Sequence, residues 1–388
     1  MSARRTSISL LWLPALTLVV TACPRPPEPG EPLRGLSAEE RSRFQRGRIV
    51  FERVFTPETG LGPLFNSTSC AGCHSDPTVG GNGAISELHA TAFHDDGFCD
   101  PLADAGGPVY QEQVTPALRE ALGIDREPVP DRATGTARRT TPDVFGFGLL
   151  DAVPDEMILA LADPEDADGD GISGRVNRFF DGRIGRFGRK ALVPTLAEFN
   201  EGAFQIEQGV TTPNVLDEGT AGGIPFPDGV DTVPDPEIDA ESVALVDAFV
   251  RFLAPPAPQR LKGAAKRGKN LFSEIGCAAC HVPKLKTGEH DVKALSRREV
   301  AAYTDLLLHD MGPELADICL GLVATPSEFR TEPLMGLRFA ERFLHDGRAS
   351  TIEEAIRRHG GEAAKSRDAF AALADADRQA LLAFLGSL

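Results

Sequence analysis

Hydrophobic residues recur at helical spacing near position 250. Leu245, Phe249 and Phe252 stand at i, i+4 and i+7, so they share one face of a helix. The segment that ends this pattern, AFVRFL at 248–253, resembles the last six residues of the chain, AFLGSL at 383–388. The pattern predicts two similar amphipathic helices, one closing each half of the chain.

Two further segments occur twice and in the same order. RGRIVF at 46–51 resembles RGKNLF at 267–272, and RTTP at 139–142 resembles RTEP at 330–333. The first of these predicts a helix that opens each half. An opening and a closing helix in each half indicate that one structural plan is used twice.

A proline-rich stretch separates the two halves. Residues 254–258 read APPAP and predict a linker. The first half contains long loops rich in Gly, Pro and Asp, at 75–83 and 209–236, and strand patterns are sparse throughout. The sequence predicts a mainly α fold with long ordered loops, in two tandem domains at 37–254 and 259–388.

The amino-terminal residues are typical of a targeting segment. Two arginines precede an apolar run, 8–20, that is too short for a comfortable membrane span and suits a signal peptide. Residues 20–23, VTAC, resemble the lipobox of bacterial lipoproteins. We therefore expect removal of residues 1–22 as a lipoprotein signal peptide, lipidation of Cys23 and a Pro-rich tether at 23–36.

This interpretation places the protein on the periplasmic side of a bacterial envelope, anchored through lipid alone to the outer membrane. The alternative is an ordinary secretory signal in which Cys23 is incidental.

Acidic residues outnumber basic ones by 57 to 40, which gives a formal net charge of −17. This charge repels a polyanion, so we expect no nucleic-acid binding. It suits a basic partner, or it is simply a well-solvated surface.

The main chemical signal is a C-x-x-C-H motif that occurs at 70–74 and again at 277–281. Two thiols about one helical turn apart can form thioethers with the two vinyl groups of a porphyrin, and the adjacent histidine then becomes the proximal iron ligand. A redox dithiol needs no histidine there, and a zinc site needs a second C-x-x-C nearby.

The motifs predict two covalently bound haems c. The residues that hold them are Cys70, Cys73 and His74, and Cys277, Cys280 and His281. With this chemistry, each half has the plan of a cytochrome c domain.

Two cysteines remain after lipid and haem are accounted for, Cys99 and Cys319. In an oxidising compartment they could form a disulfide that joins the halves. The sequence leaves open whether they meet.

One acidic loop resembles the start of a calcium site. Asp166, Asp168 and Asp170 follow the pattern D-x-D-x-D-G, in which alternate carboxylates converge on a hard cation. The twelfth position is Asn177 and not the usual glutamate. The loop is either a variant calcium site or an acidic turn that caps a helix.

Several motifs resemble a known family. FLHDGRA at 343–349, followed by IEEAI at 352–356, resembles the C-terminal half of bacterial di-haem cytochrome c peroxidases. The wider pattern resembles the related di-haem oxidoreductase family, and its further marks are DGISGR at 170–175, GRFG at 185–188, DLLLHDMG at 305–312 and HGGEA at 359–363. The resemblance implies two haems of which one passes electrons and the other has an open face, where peroxide or a similar small oxidant is activated.

The resemblance also indicates the axial ligands. His359 follows His345 by 14 residues, at the place where the peroxidases carry methionine and the methylamine-dehydrogenase maturase carries tyrosine. We expect His359 to be the sixth ligand of the second haem, which would be bis-histidine and low-spin. The alternative is a solvent-exposed histidine at a helix end. Two other residues after the second motif, His309 and Met311, could also pack over this haem or bind it.

When the sequence of the first half is aligned with that of the second, Leu161 occupies the position of His359. Leucine cannot bind iron, so the first haem is the candidate for the open site. Asp151 and Glu156 lie in the corresponding distal segment and are predicted to supply the acid–base group that peroxide cleavage needs. Either could instead be a plain carboxylate at a helix N-terminus.

The resulting functional hypothesis is a peroxidase. It would reduce hydrogen peroxide or a similar oxidant at the N-terminal haem, with electrons that enter through the C-terminal haem from a small cytochrome or cupredoxin. One alternative is a maturase-like oxidase or oxygenase that acts on a protein or organic substrate. The other is an electron-transfer cytochrome in which both irons are six-coordinate.

Overall fold

The computed structural model describes residues 25–321 and 323–388. The predicted signal peptide, its cleavage site and Cys23 lie outside these residues. Helix is the main regular structure in the described chain, as the sequence predicted, and strands are more numerous than expected.

The helices are α1 (Ala38–Phe51), α2 (Cys70–Cys73), α3 (Pro116–Leu122), α4 (Phe147–Asp151), α5 (Asp155–Leu159), α6 (Leu196–Gln208), α7 (Ala240–Phe252), α8 (Ala264–Glu274), α9 (Ile352–Arg358), α10 (Ala364–Ala372) and α11 (Asp375–Leu385). The strands are β1 (Leu64–Phe65), β2 (Ser86–Phe93), β3 (Cys99–Asp100), β4 (Val109–Tyr110), β5 (Gln113–Val114), β6 (Gly135–Thr140), β7 (Leu285–Lys286), β8 (Glu299–Val300), β9 (Leu308–Asp310) and β10 (Glu328–Arg330).

The predicted opening and closing helices are present and pack in pairs, α1 with α7 and α8 with α11. Each pair crosses at the glycine of the repeated Arg-Gly motif. A Cβ at Gly47 would lie 1.9 Å from the backbone oxygen of Leu245, and a Cβ at Gly268 would lie 1.9 Å from that of Ala380. Since no larger residue allows so close an approach, the repeat in the sequence marks the helix crossing.

The largest sheet is antiparallel and surrounds β2. β2 pairs with β3, β4 and β6, and its register places Glu87 opposite Arg139. The remaining sheets are two-stranded, β1 with β5, β7 with β8 and β9 with β10. β6 of this sheet ends at Thr140, two residues before Pro142, whose backbone oxygen lies 2.9 Å from Nδ1 of His74, so the sheet leads directly to the first motif.

The main hydrophobic core does not stop at the predicted linker. It contains Phe249 and Phe252 of α7 and also Leu295 and Leu307, which lie beyond the linker. A second, smaller core forms around Phe384 of α11. Residues of the second half therefore complete the core of the first half.

Cys99 and Cys319 form a disulfide across 220 residues of sequence, with their Cα atoms 5.8 Å apart. The question that the sequence left open is thus answered by the fold. Within residues 25–321 and 323–388, no helix is long and apolar enough to cross a membrane.

Candidate functional site

The first C-x-x-C-H motif forms one short helix, α2. The Ser69 hydroxyl caps it by accepting the backbone N–H of Gly72 at 3.0 Å. His74 follows directly, and its Nδ1 lies 2.9 Å from the backbone oxygen of Pro142. Because a carbonyl only accepts, Nδ1 must carry the proton, and Nε2 keeps its lone pair for a metal.

The second motif has the same arrangement on a 3₁₀ turn, Cys277–Ala279. The Nδ1 of His281 lies 3.0 Å from the backbone oxygen of Tyr303, so Nε2 again keeps its lone pair. Burial lowers the pKa of His281 to about 4 and lowers that of His74 as well. Both rings are therefore neutral at pH 7, which is the form that binds iron.

The phenylalanine of each repeated RGxxxF segment packs beside one of these histidines. The ring centroids are 6.0 Å apart for Phe51 and His74, and 6.5 Å apart for Phe272 and His281. This contact explains why the phenylalanine repeats together with the glycine.

His281 lines a cavity of about 520 Å³, and His359 lines the same cavity. His359 is half-buried at the end of α9, whose first turn is capped by Thr351. Its Nδ1 lies 2.7 Å from the backbone oxygen of Ala355, and burial lowers its pKa. His359 thus has the same protonation pattern as the two motif histidines, and it is available for the role predicted for it.

The cavity fits a porphyrin by its chemistry. Apolar side chains such as Phe272, Ile356 and Leu385 line it, and so does Arg330. The Nε of Arg330 is buried without a hydrogen-bond partner. The apolar ring of a porphyrin would pack against the apolar side chains, and one of its carboxylates would accept a hydrogen bond from Arg330. Cys277, Cys280 and His281 would hold the group.

The motif cysteines are poorly suited to thiol redox chemistry. Burial raises the pKa of Cys70 to about 11 and that of Cys277 to about 12. Burial, followed by the charge of Glu207, raises the pKa of Cys73 to about 12. Since the thiolate is the reactive form, these thiols would stay unreactive near neutral pH.

A pair of carboxyl groups beside the first motif was not predicted from the sequence. The Glu87 side chain hydrogen-bonds to that of Glu207 and also to His89, whose Nε2 lies 2.9 Å from Oε2 of Glu87. Burial alone would raise the pKa of Glu87, but the bond to His89 and its charge outweigh burial and hold that pKa below its usual value. Burial and the charge of Glu87 raise the pKa of Glu207 well above its usual value.

Glu207 is held against the first motif through its neighbours in the chain. Its backbone oxygen accepts the N–H groups of Asn66 and Ser67, at 2.8 Å and 3.1 Å. The next residue, Gln208, donates from Nε2 to Sγ of Cys70 at 3.3 Å. Glu207 lies in the last turn of α6 and Glu87 lies in β2, so no local spacing in the sequence could have shown that they meet.

Asp151 and Glu156, the predicted acid–base residues, have other contacts. Asp151 Oδ2 lies 2.5 Å from Arg251, and its Oδ1 accepts the N–H of Leu196 at 2.8 Å, where α6 begins. Glu156 is exposed in the first turn of α5. These contacts account for both carboxylates as structural or solvated groups, and their catalytic role stays a prediction.

The predicted calcium residues do come together. One carboxylate oxygen each of Asp166, Asp168 and Asp170 lies within 4.8 Å of the others. Asn177 does not close the loop. It is fully buried, and its Nδ2 donates to the backbone oxygen of Lys190 at 2.7 Å. Calcium binding stays a prediction.

The segment 140–142 connects the first motif to the cavity of the second motif. Pro142 accepts from His74, and Thr140, two residues earlier, donates its N–H to the backbone oxygen of His345 at 3.1 Å. The His345 ring stacks on Phe329 at a centroid distance of 4.2 Å, and both side chains line the cavity of the second motif. A short chain of covalent and hydrogen bonds therefore joins the first motif to the second cavity.

A family model described as "Di-haem oxidoreductase, putative peroxidase" matches residues 130–388. No curated protein matches the sequence. Similar solved structures include the diheme peroxidase BthA from Burkholderia thailandensis, with 17% identity over 89% of this chain and 86% of that chain and a TM-score of 0.43. A MauG-like protein associated with microbial copper homeostasis has 17% identity over 94% and 92% and a TM-score of 0.41. Kuenenia stuttgartiensis hydrazine synthase has 13% identity over 100% of both chains and a TM-score of 0.42.

TM-scores this low carry no argument about function. The family model is different, because it covers about two thirds of the chain and includes the second C-x-x-C-H motif. A di-haem family implies two haems, and the two motifs are the places where the donor atoms fit them. The chain therefore belongs to the di-haem oxidoreductase family.

Proposed function

We propose that the protein is a haem-dependent peroxidase that reduces hydrogen peroxide or a similar small oxidant at the first site. The observation that carries this proposal is the carboxyl pair Glu87 and Glu207 beside the first motif. A haem held by Cys70, Cys73 and His74 would supply an iron that changes oxidation state and with which the oxidant would react.

The carboxyl pair can provide the proton transfer that peroxide reduction needs. Burial and the adjacent Glu87 charge oppose the ionisation of Glu207, so its carboxyl group holds a proton to higher pH than an ordinary glutamate does. Glu87 stays ionised because His89 stabilises its charge. One member can therefore donate a proton and the other can accept one, which is the arrangement of an acid–base pair.

The second site is proposed to receive electrons. His359 and His281 line one cavity and each keeps Nε2 available, as two axial ligands would require. If both histidines bound the iron, the second site would suit electron transfer and not oxidant binding. The formal charge of −17 suits a basic donor, for which a small cytochrome or cupredoxin is the proposal. Lipid anchoring through Cys23 at the periplasmic face of the outer membrane is proposed on sequence grounds alone.

Replacement of the carboxyl pair tests the assignment. Glu207→Gln and Glu87→Gln should each lower kcat/KM for hydrogen peroxide by about 10²- to 10⁴-fold, the usual contribution of a positioned acid–base group. The haem spectra should stay unchanged. Glu120→Gln is the matched control, because Glu120 is exposed on α3, and it should retain full turnover.

Other outcomes would redirect the assignment. Loss of turnover in Asp151→Asn or Glu156→Gln, with unchanged turnover in the Glu87 and Glu207 variants, would assign the acid–base role to the carboxylates predicted from the sequence. A low-temperature EPR spectrum with low-spin signals alone, both as isolated and after partial reduction, would show that neither iron is open to an oxidant. The protein would then be an electron-transfer cytochrome.

A further inference from the structure

His309 lies in β9 and is buried, with a carboxylate on each ring nitrogen. Its Nε2 lies 2.8 Å from Oδ2 of Asp305, and its Nδ1 lies 2.7 Å from Oε2 of Glu362. Carboxylate oxygens accept hydrogen bonds, so both nitrogens must carry protons and the ring is an imidazolium. Burial alone would lower the pKa of His309, but the hydrogen bonds to Asp305, Cys280 and Glu362 raise it to about 12.

One end of this bridge reaches the segment that orients His281. Asp305 stands two residues after Tyr303, whose backbone oxygen accepts from His281. The other carboxylate oxygen of Asp305 accepts the N–H of Leu307 at 2.9 Å, which fixes the side chain in place. His309 therefore ties the acceptor segment of His281 to β9.

The other end reaches the segment that carries His359. Glu362 follows His359 by three residues, and it also accepts the N–H and the hydroxyl of Ser173, at 3.0 Å and 2.9 Å, and the N–H of Asp310 at 3.2 Å. The backbone packs tightly here, since a Cβ at Gly361 would lie 2.1 Å from the backbone oxygen of Asp310. The segment after α9 is therefore docked directly onto the end of β9.

We propose that His309 is a positioning residue for the second haem site. Its imidazolium bridges Asp305 and Glu362, and it thereby holds the segments of His281 and His359 in place around one cavity. The inference rests on the proposed role of His359 as the sixth ligand. His309 is not itself an iron ligand in this arrangement, because both of its ring nitrogens are used by carboxylates.

The bridge also adjoins the haem attachment. Sγ of Cys280 lies 3.7 Å from Nδ1 of His309. Cys280, Asp305 and His309 could in principle hold a metal, since their ligand atoms lie within 4.8 Å of one another. Once Cys280 forms a thioether, its sulfur is no longer a thiolate, and the two carboxylates around His309 remain as a charge-assisted bridge.

The experiment compares His309→Gln and Glu362→Gln with His359→Ala, all as full-length holoprotein. Each of the first two variants removes one charge of the bridge with little change in side-chain size. Low-temperature EPR and visible spectra of the ferric protein should show loss of most of the low-spin signal of the second haem in all three. Added imidazole should restore that signal, which shows that the pocket is still folded. Glu353→Gln on α9, whose partner is Arg357, is the control and should keep the native spectrum.

The possible results are distinct. If His359→Ala loses the low-spin signal but His309→Gln and Glu362→Gln keep it, the role of His309 is disproved and the ligand assignment stands. If His359→Ala also keeps the signal, the ligand assignment fails and the positioning role falls with it. Peroxide turnover in the Glu207 variants is an independent measurement, so neither result decides the function proposed for the first site.

Discussion

Hydrogen-bond partners divide four histidines of the two motif sites into two groups with different roles. His74, His281 and His359 each place Nδ1 against a backbone carbonyl, which leaves a neutral ring with Nε2 available. His309 places both nitrogens against carboxylates and becomes a fixed cation. The residue type is the same in all four cases, and the neighbouring acceptors decide whether the ring can bind iron.

The ligand assignment of His359 predicts a clear spectral change. His359→Ala should convert the second haem from low-spin to high-spin, because alanine offers no lone pair to the iron. Its reduction potential should rise, since a second imidazole stabilises the ferric state. EPR and a spectroelectrochemical titration measure both effects. His94→Ala, at a histidine in an exposed turn, is the control, and an unchanged low-spin signal in His359→Ala would refute the assignment.

The site residues that could be predicted are those that lie close to one another in the sequence. Cys70, Cys73 and His74 lie within one turn, so their spacing alone indicates haem attachment. Glu87 and Glu207 could not be predicted, because a strand and a distant helix bring them together. His309 was noted from the sequence, but its role depends on Glu362, which the chain supplies 53 residues later.

At the scale of elements, the repeated motif predicted helices well and sheets poorly. The glycine and phenylalanine of RGxxxF recur for two structural reasons, the helix crossing and the contact with a histidine. In the β2 sheet, β3 and β4 have two residues each, and the pairing of β2 with β6 joins segments about fifty residues apart. Their stability comes from that pairing and not from their own propensity, so a local sequence pattern could not predict them.

The acidic residues in the loop at 209–236 and directly after it should make stability depend on pH. Burial, followed by hydrogen bonds to Asp235 and Asp231, raises the pKa of Glu218 to about 9, and burial raises that of Glu237 to about 7. The folded state thus holds protons that the unfolded chain has released, so the free energy of unfolding falls as pH rises from about 4.5 towards 9.

Removal of the Glu218 charge should flatten that pH dependence. Glu218→Gln keeps a hydrogen-bonding side chain without a titrating proton, so its unfolding midpoint at pH 9 should exceed that of the parent protein. Below pH 4.5 the two should nearly coincide. Thermal unfolding between pH 4 and 9 measures the difference. The exposed Asp228→Asn is the control, and equal slopes for Glu218→Gln and the parent protein would show that Glu218 does not titrate in this range.

At the scale of the whole molecule, the two halves are joined more closely than a tandem repeat requires. Leu295 and Leu307 of the second half pack in the main core with Phe249 of the first. In a second junction, Asp317 is buried against Arg139 at 2.5 Å and against Lys190 at 3.4 Å. Periodicity identified the helices of each half, but it cannot show which surfaces pack together. The sequence therefore predicted the repeated plan and missed the shared core.

The disulfide reinforces this junction, which leads to a prediction about global stability. Cys319 stands two residues after Asp317, and its bond to Cys99 closes a loop of 220 residues. Without the bond the unfolded chain gains conformational freedom, so Cys99→Ala/Cys319→Ala should lower the free energy of unfolding by about 2–4 kcal/mol. The double variant leaves no unpaired thiol, which a single variant would.

Guanidinium unfolding of the holoprotein, followed through the haem absorbance and the far-ultraviolet circular dichroism, measures the change. Loss of the bond should lower the midpoint while the low-spin signal of the second haem persists, because Cys99 and Cys319 are absent from the lining of its cavity. Addition of a thiol reductant to the parent protein should reproduce the shift and have no effect on the double variant. A midpoint that stays the same in both experiments would mean that the shared core, and not the covalent link, holds the halves together.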